Sequence, residues 1–130
     1  LHLRVRREAR DDVFGIGLVV GGHQTLLAID AYGGETTGLH RLDGKRAKDN
    51  ESTRKRRVLP PDTWVELECR VTPDSVTLLA DDQSVLEWSG DPARLSVDPA
   101  WTVPRRDWLF LASHDSIFAI SHLTLSTPQP

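Results

Sequence analysis

The chain has no methionine, a single cysteine (Cys69), one tyrosine and no apolar run long enough to span a bilayer. It also lacks a glycine-rich phosphate loop, a Ser/His/Asp or Cys/His arrangement of known type, and any apolar pattern of helical period sustained over ten residues. These absences exclude an internal disulfide, insertion as a membrane helix, nucleotide binding and acyl-transfer chemistry. Gly15-x-Gly17 changes nothing, because it lies inside a strand pattern with no helix after it. No signal peptide opens the chain, which begins LHLRVRR. Without a methionine it reads as a domain or proteolytic piece of a longer protein, and its compartment stays open. Cys69 falls on an apolar strand face and reads as a small buried hydrophobe.

The 130 residues are enough for one domain with a two-layer core. The net charge of −3 conceals an asymmetry. Arg41–Arg57 holds eight of the sixteen basic residues and three acids, a local charge of +5 that leaves the rest of the chain at −8.

The clearest pattern runs from Trp64 to Trp88. Val65, Leu67, Cys69 and Val71 alternate with Trp64, Glu66, Glu68 and Arg70, which marks a strand with one buried face and one polar face. Thr72-Pro73-Asp74 and Asp81-Asp82 supply turns into further strands over 75–80 and 83–88. Leu1–Arg7 alternates in the same way. Val13–Val20 is apolar on both faces, suits a central strand, and forms a hairpin with His23–Asp30 across Gly21-Gly22. Thr36–Leu42 is a weaker strand, Asp43–Arg57 a long polar loop, and Pro92–Leu95 a single helical turn. Asp107–Ser113 and Ser116–Ser126 close the set. Eight or nine short strands at this spacing predict an all-β antiparallel two-sheet sandwich or jelly roll over residues 1–126, with 127–130 as a tail or linker.

Several phrases carry a resemblance: RVRRE at Arg4–Glu8, FGIGLVVGG at Phe14–Gly22, and the strand Leu27–Asp30. GLHRLDGKRAKDNEST at Gly38–Thr53, LEWSGDPARLS at Leu86–Ser96 and LFLASHDSIFAISHLTL at Leu109–Leu125 extend it over nearly the whole chain. Together they resemble the concanavalin A-like, laminin-G-like jelly rolls of 3-keto-disaccharide hydrolase domains. They are also similar to a domain of unknown function near glycoside hydrolase family 16, as found in large proteins of planctomycete-type bacteria. The resemblance implies two facing sheets, one of them concave, with rim loops that bind sugars or Ca²⁺. It leans towards an extracytoplasmic or cell-surface bacterial setting. A full domain of that type has at least one strand before the position of Leu1, so either that strand is missing or the sandwich is minimal.

Glu66 and Glu68 are the enzymatic candidates, since residues two apart on a strand share a face at a separation that suits a two-carboxylate glycosidase. The family 16 motif Glu-x-Asp-x-x-Glu is not reproduced, and Val71 stands where the third acid would be. The plain structural alternative is a charged solvent face ending in Arg70. Trp64, Trp88, Trp101 and Trp108 are of the residue type that stacks on sugar rings, although core packing and loop pinning explain tryptophans more often. Trp64, Glu66, Glu68, Arg70 and Trp88, with His114 in the turn His114-Asp115, form the expected ligand-binding set. Asp43, Asp49 and Asn50, with Glu51, Asp30 and Asp115, offer oxygen ligands for Ca²⁺ but match no EF-hand spacing. The five histidines show no zinc spacing. Arg54-Lys55-Arg56-Arg57, with Lys45, Arg46 and Lys48, has no aromatic interleaving, so it points to acidic glycans or an acidic partner domain rather than nucleic acid. Asn50-Glu51-Ser52 is a glycosylation sequon, with meaning only in a eukaryotic secretory route.

The sequence therefore predicts a non-catalytic carbohydrate- or ligand-binding accessory module. A glycoside hydrolase using Glu66 and Glu68, or a scaffold that binds a neighbouring protein domain, are the alternatives.

Overall fold

Alternation decides which way each strand faces, and two such sets of strands face each other. The computed structural model describes residues 1–126; the expected tail over 127–130 lies outside them. The first sheet contains β1 (His2–Ala9), β6 (Trp64–Thr72), β7 (Ser75–Ala80), β8 (Gln83–Ser89) and β10 (Ile117–Thr124), in the spatial order β10-β1-β6-β7-β8. The second contains β2 (Phe14–Val20), β3 (His23–Asp30), β4 (Thr36–His40), β5 (Arg54–Lys55) and β9 (Phe110–Ser113), in the order β5-β4-β3-β2-β9. Every pairing between these strands is antiparallel. The protein is an all-β two-sheet sandwich.

Leu3 and Val5 of β1, Phe14, Ile16 and Leu18 of β2, Leu27 and Ile29 of β3, and Val65, Leu67 and Cys69 of β6 meet in the core between the sheets. Burying each large aliphatic side chain contributes about 1.5–3 kcal/mol relative to exposure. The outer face of the second sheet is not a water face. Leu26 and Ala28 of β3 are buried there with Val13, Ala31 and Ala47, under Trp101 and Phe110. Gly15 and Gly17 explain how that layer fits. A Cβ on Gly17 would overlap the Phe110 ring, and one on Gly15 would come within 2.8 Å of Leu26. Gly17 therefore admits the Phe110 ring close to the backbone, and Gly15 admits Leu26.

Three details differ from the sequence reading. The polar loop after Asp43 contains a two-residue strand, β5, paired to Thr36 and Thr37. The strand expected over 107–113 begins only at Phe110. The connection after Trp88 carries two single turns of 3₁₀ helix, Pro92–Arg94 and Pro99–Trp101, each capped by the aspartate before it.

Candidate functional site

The expected ligand face is an open charge ladder. On the outside of the first sheet, Glu66 lies 2.9 Å from His2 Nε2 and 3.5 Å from the Arg4 guanidinium, while Glu68 pairs with Arg70 at 2.7 Å. The Trp64 ring is held between Arg4 and Arg6, with each guanidinium carbon 4.8 Å from a ring centroid. Exposed pairs of this kind contribute little to stability. Trp88 is not on this face at all. It is 5% exposed and packs in the core, so it does not join Trp64.

The calcium candidates are also committed elsewhere. Both Asp43 carboxylate oxygens accept from Arg94, Asp115 pairs with Arg10, and Asp30 is buried against Arg7. Asn50 donates its amide hydrogens to the carbonyls of Leu39, Lys45 and Arg46 and accepts from Ser52, which fixes the loop from inside. Asp49 lies exposed on the same loop. Among the described residues no group of three or more His, Cys, Asp or Glu side chains is placed to hold a metal. Cys69 is buried, and burial pushes its thiol pKa up to about 12, so it is no nucleophile.

The sequence reading missed a cleft of about 370 Å³ on the outer face of the second sheet. Its floor is Leu26 and Ala28. Val13, Ala31 and Asp12 close one end, and Trp101, Ala100 and His114 form a wall. Tyr32, His40 and Arg46 form a lip, and Asp98, bonded to both Ala100 and His40, joins that lip to the wall. A second depression of about 530 Å³ lies at the end of the sandwich beside Leu1, Cys69 and Leu109, but its charged groups, Glu68 and Arg70, neutralise each other. Apolar floor, aromatic sides and several convergent polar groups belong to the first cleft.

Local backbone explains the lip. Asp30 (φ 55°), Tyr32 (φ 54°), Gly33 (φ 81°) and Gly34 (φ 88°) are left-handed, a conformation costly for non-glycine residues. The turn aims the Tyr32 ring outwards, where Lys48 lies 5.1 Å from its centroid. On the other side, Trp101 and His114 meet edge to face at 6.5 Å. His114 is the one expected ligand-binding residue that the structure brings to the cleft.

His40 and Asp98 brace the site. The Ala47 backbone N–H donates to His40 Nδ1 at 3.0 Å, so Nε2 carries the proton and donates to Asp98 at 3.2 Å. Asp98 also accepts from the Arg41 guanidinium at 2.6 Å and from the Ala100 backbone N–H at 2.9 Å. That backbone hydrogen bond, aided by Arg41, holds the Asp98 carboxyl below the usual carboxylate range. Burial holds the His40 pKa below its ordinary value, against the pull of Asp98. Partial burial pushes the Tyr32 hydroxyl up, with Arg46 opposing.

A pH effect follows. The unfolded chain takes up a proton at histidine near pH 6.5, whereas folded His40 resists it. The stability contributed by neutral His40 is thus complete above about pH 6.5 and is lost as pH falls through its lower folded value. Thermal midpoints should fall between pH 7.5 and 5, and less steeply in a His40→Gln variant. ¹⁵N chemical shifts of the ring should show a protonated Nε2 and a bare Nδ1 at neutral pH. A doubly protonated ring at pH 7 would rule this arrangement out.

Compared with protein-family models, curated proteins and solved structures, the chain matches none.

Proposed function

We propose that this chain is a non-catalytic carbohydrate-binding module of a larger bacterial protein, and that it seats its ligand in the Tyr32–Trp101 cleft. The observation that carries the reading is the placement of two aromatic rings above an apolar floor, with Arg46, His114 and Asp12 within the same cleft. Sugar rings present apolar C–H faces to aromatic side chains and hydroxyls to polar ones, which matches this combination. The resemblance to concanavalin A-like jelly rolls supports the same class. The non-catalytic part rests on the commitments of the ionisable groups. Both His40 nitrogens and both Asp98 oxygens are engaged, and Glu66 and Glu68 are each ion-paired, to His2 and Arg4 and to Arg70.

The test is a glycan panel read by binding, with wild type beside Trp101→Ala and Trp64→Ala. Binding is expected to fall at least tenfold in Trp101→Ala and to survive in Trp64→Ala. The reverse order would move the site back to the first sheet. Hydrolysis that is lost in a Glu66→Gln, Glu68→Gln double variant would establish the enzyme instead.

One observation favours a second reading, a module that docks a neighbouring protein domain. Ile117, Ile120 and Leu123 of the edge strand β10 are exposed, as are Trp108, Leu109 and Leu125 beside it. An apolar strand edge is a surface that proteins pair or cover. Silence across the glycan panel, with protein capture that disappears in an Ile120→Lys, Leu123→Lys variant, would support it.

A further inference from the structure

The Tyr32–Trp101 cleft has a charge pattern of its own, and the inference drawn from it rests on the carbohydrate-binding reading above. Arg41, Arg57 and Arg94 each hold a carboxylate, at 2.6, 2.9 and 2.7 Å. Arg46 lines the cleft and, among the described residues, has no such partner. It stands on the loop with the local charge of +5, between Lys45 and Lys48, beside the Tyr32 lip. Across the cleft the sign changes. Asp12 lies at the far end, where its carboxylate accepts only from the Val13 backbone N–H, on one oxygen, among the described residues. Asp98, the other acid of the cleft, is already compensated by Arg41.

The cleft runs across strands, from His40 on β4 over Leu26 and Ala28 on β3 to Val13 just before β2. Two strand spacings make that span about 10 Å. A free guanidinium at one end offers a planar fork that matches a carboxylate bidentately, where an ammonium offers only a point charge. A carboxylate at the other end accepts from hydroxyl groups. Trp101 and Tyr32, which line the same cleft, suit the faces of one or two sugar rings.

We propose that the ligand of this cleft is an acidic glycan, a short uronate-containing saccharide lying across the strands with its carboxylate on Arg46. Hydroxyl groups at its other end donate to Asp12, and its ring faces rest on Trp101 and Tyr32. Arg46 then sets charge specificity, and Trp101 supplies contact for acidic and neutral saccharides alike.

Calorimetric titration with a set of uronate disaccharides, each beside its methyl ester, tests this on the chain as it stands. The ester keeps the sugar's shape and removes its charge. The acid is expected to bind at least tenfold more tightly than its ester, with the preference weakening as salt rises. Arg46→Gln should bring the acid down to the level of the ester, Arg46→Lys should recover only part of the difference, and Trp101→Ala should weaken both. Acid and ester of equal affinity, both lost in Trp101→Ala, would overturn the acidic-glycan inference and leave the cleft standing. An acid preference that persists in Arg46→Gln would overturn it too, because the charge would then be read elsewhere. No binding of any saccharide would remove both readings together.

Discussion

Replacing Asp30 by alanine is expected to destabilise the protein by about 3–5 kcal/mol, because it strands a buried cation. Arg7 occupies an inward position of β1, in phase with Leu3 and Val5, and is 1% exposed. Its guanidinium donates to Asp30 at 3.2 Å and to the carbonyls of Leu59, Arg10 and Asp12 at 2.8–3.1 Å. A further bond, to the Ser116 hydroxyl at 3.1 Å, reaches the segment just before β10. Asp30, fully buried, accepts from Arg7 and from the backbone N–H groups of Val58 and Leu59. Alanine removes the counter-charge, leaves two backbone donors unsatisfied, and places a Cβ in a left-handed conformation that aspartate and asparagine tolerate better. Against a typical domain stability of about 5–15 kcal/mol, that is a large fraction. Urea titrations should show the Asp30→Ala midpoint far below that of Asp30→Asn, which keeps the backbone conformation and an acceptor oxygen. A paired Arg7→Met, Asp30→Leu variant should be less damaged than Asp30→Ala alone, since no charge is left unpaired. Equal stability of wild type and Asp30→Ala would mean that the guanidinium reaches water.

Asn50→Ala should act on the cleft from behind. The Asn50 side chain bonds three carbonyls and both donors of Ser52, and the Ser52 hydroxyl in turn accepts from the Leu39 backbone N–H. The loop so held presents Arg46 to the cleft and the Ala47 N–H to His40. With buried groups left unsatisfied at roughly 1–3 kcal/mol each, the expected cost is about 2–4 kcal/mol. Binding in the cleft should fall at least tenfold while the first sheet stays intact. Hydrogen exchange would check this directly, with the amides of Leu39 and Ala47 exchanging faster and those of β6 and β7 unchanged. An Asn50→Ala protein with wild-type protection at Leu39 would count against the loop's dependence on that side chain.

Much of the sandwich was legible because strands obey a local rule. The period of two in Leu1–Arg7 and Trp64–Val71 correctly assigns Leu3, Val5, Val65, Leu67 and Cys69 to the core. The two-sided apolar run 13–20 correctly marks a strand flanked on both sides, by β3 and β9. The same rule assigns Arg7 to the inner face, but nothing nearby names Asp30, Leu59 or Ser116 as its partners. The cleft was hidden for a similar reason. Tyr32, His40, Asp98 and His114 come from four connections or strand ends and meet only through the stacking of loops on the second sheet. Trp64 and Trp101 look alike as letters, and only the fold puts one between arginines and the other against His114. The left-handed pair Asp30 and Tyr32, just before Gly33-Gly34, was the local signal available. Consecutive glycines after an aspartate mark a turn, although not what it carries.

The order of the first sheet also bears on how the chain comes to fold. β1 lies between β6 and β10, so its neighbours are written some sixty and more than a hundred positions later: His2 faces Glu68 on one side and Thr124 on the other. During synthesis β1 has neither of its neighbours in the sheet until β6 emerges. It stays an edge until nearly the last residues described. Pairings of such sequence separation are slow to form, because the loop between partners is closed before any contact rewards it. The second sheet can assemble early from its β2–β3 hairpin. The first is complete only once β10 is available to pair with β1.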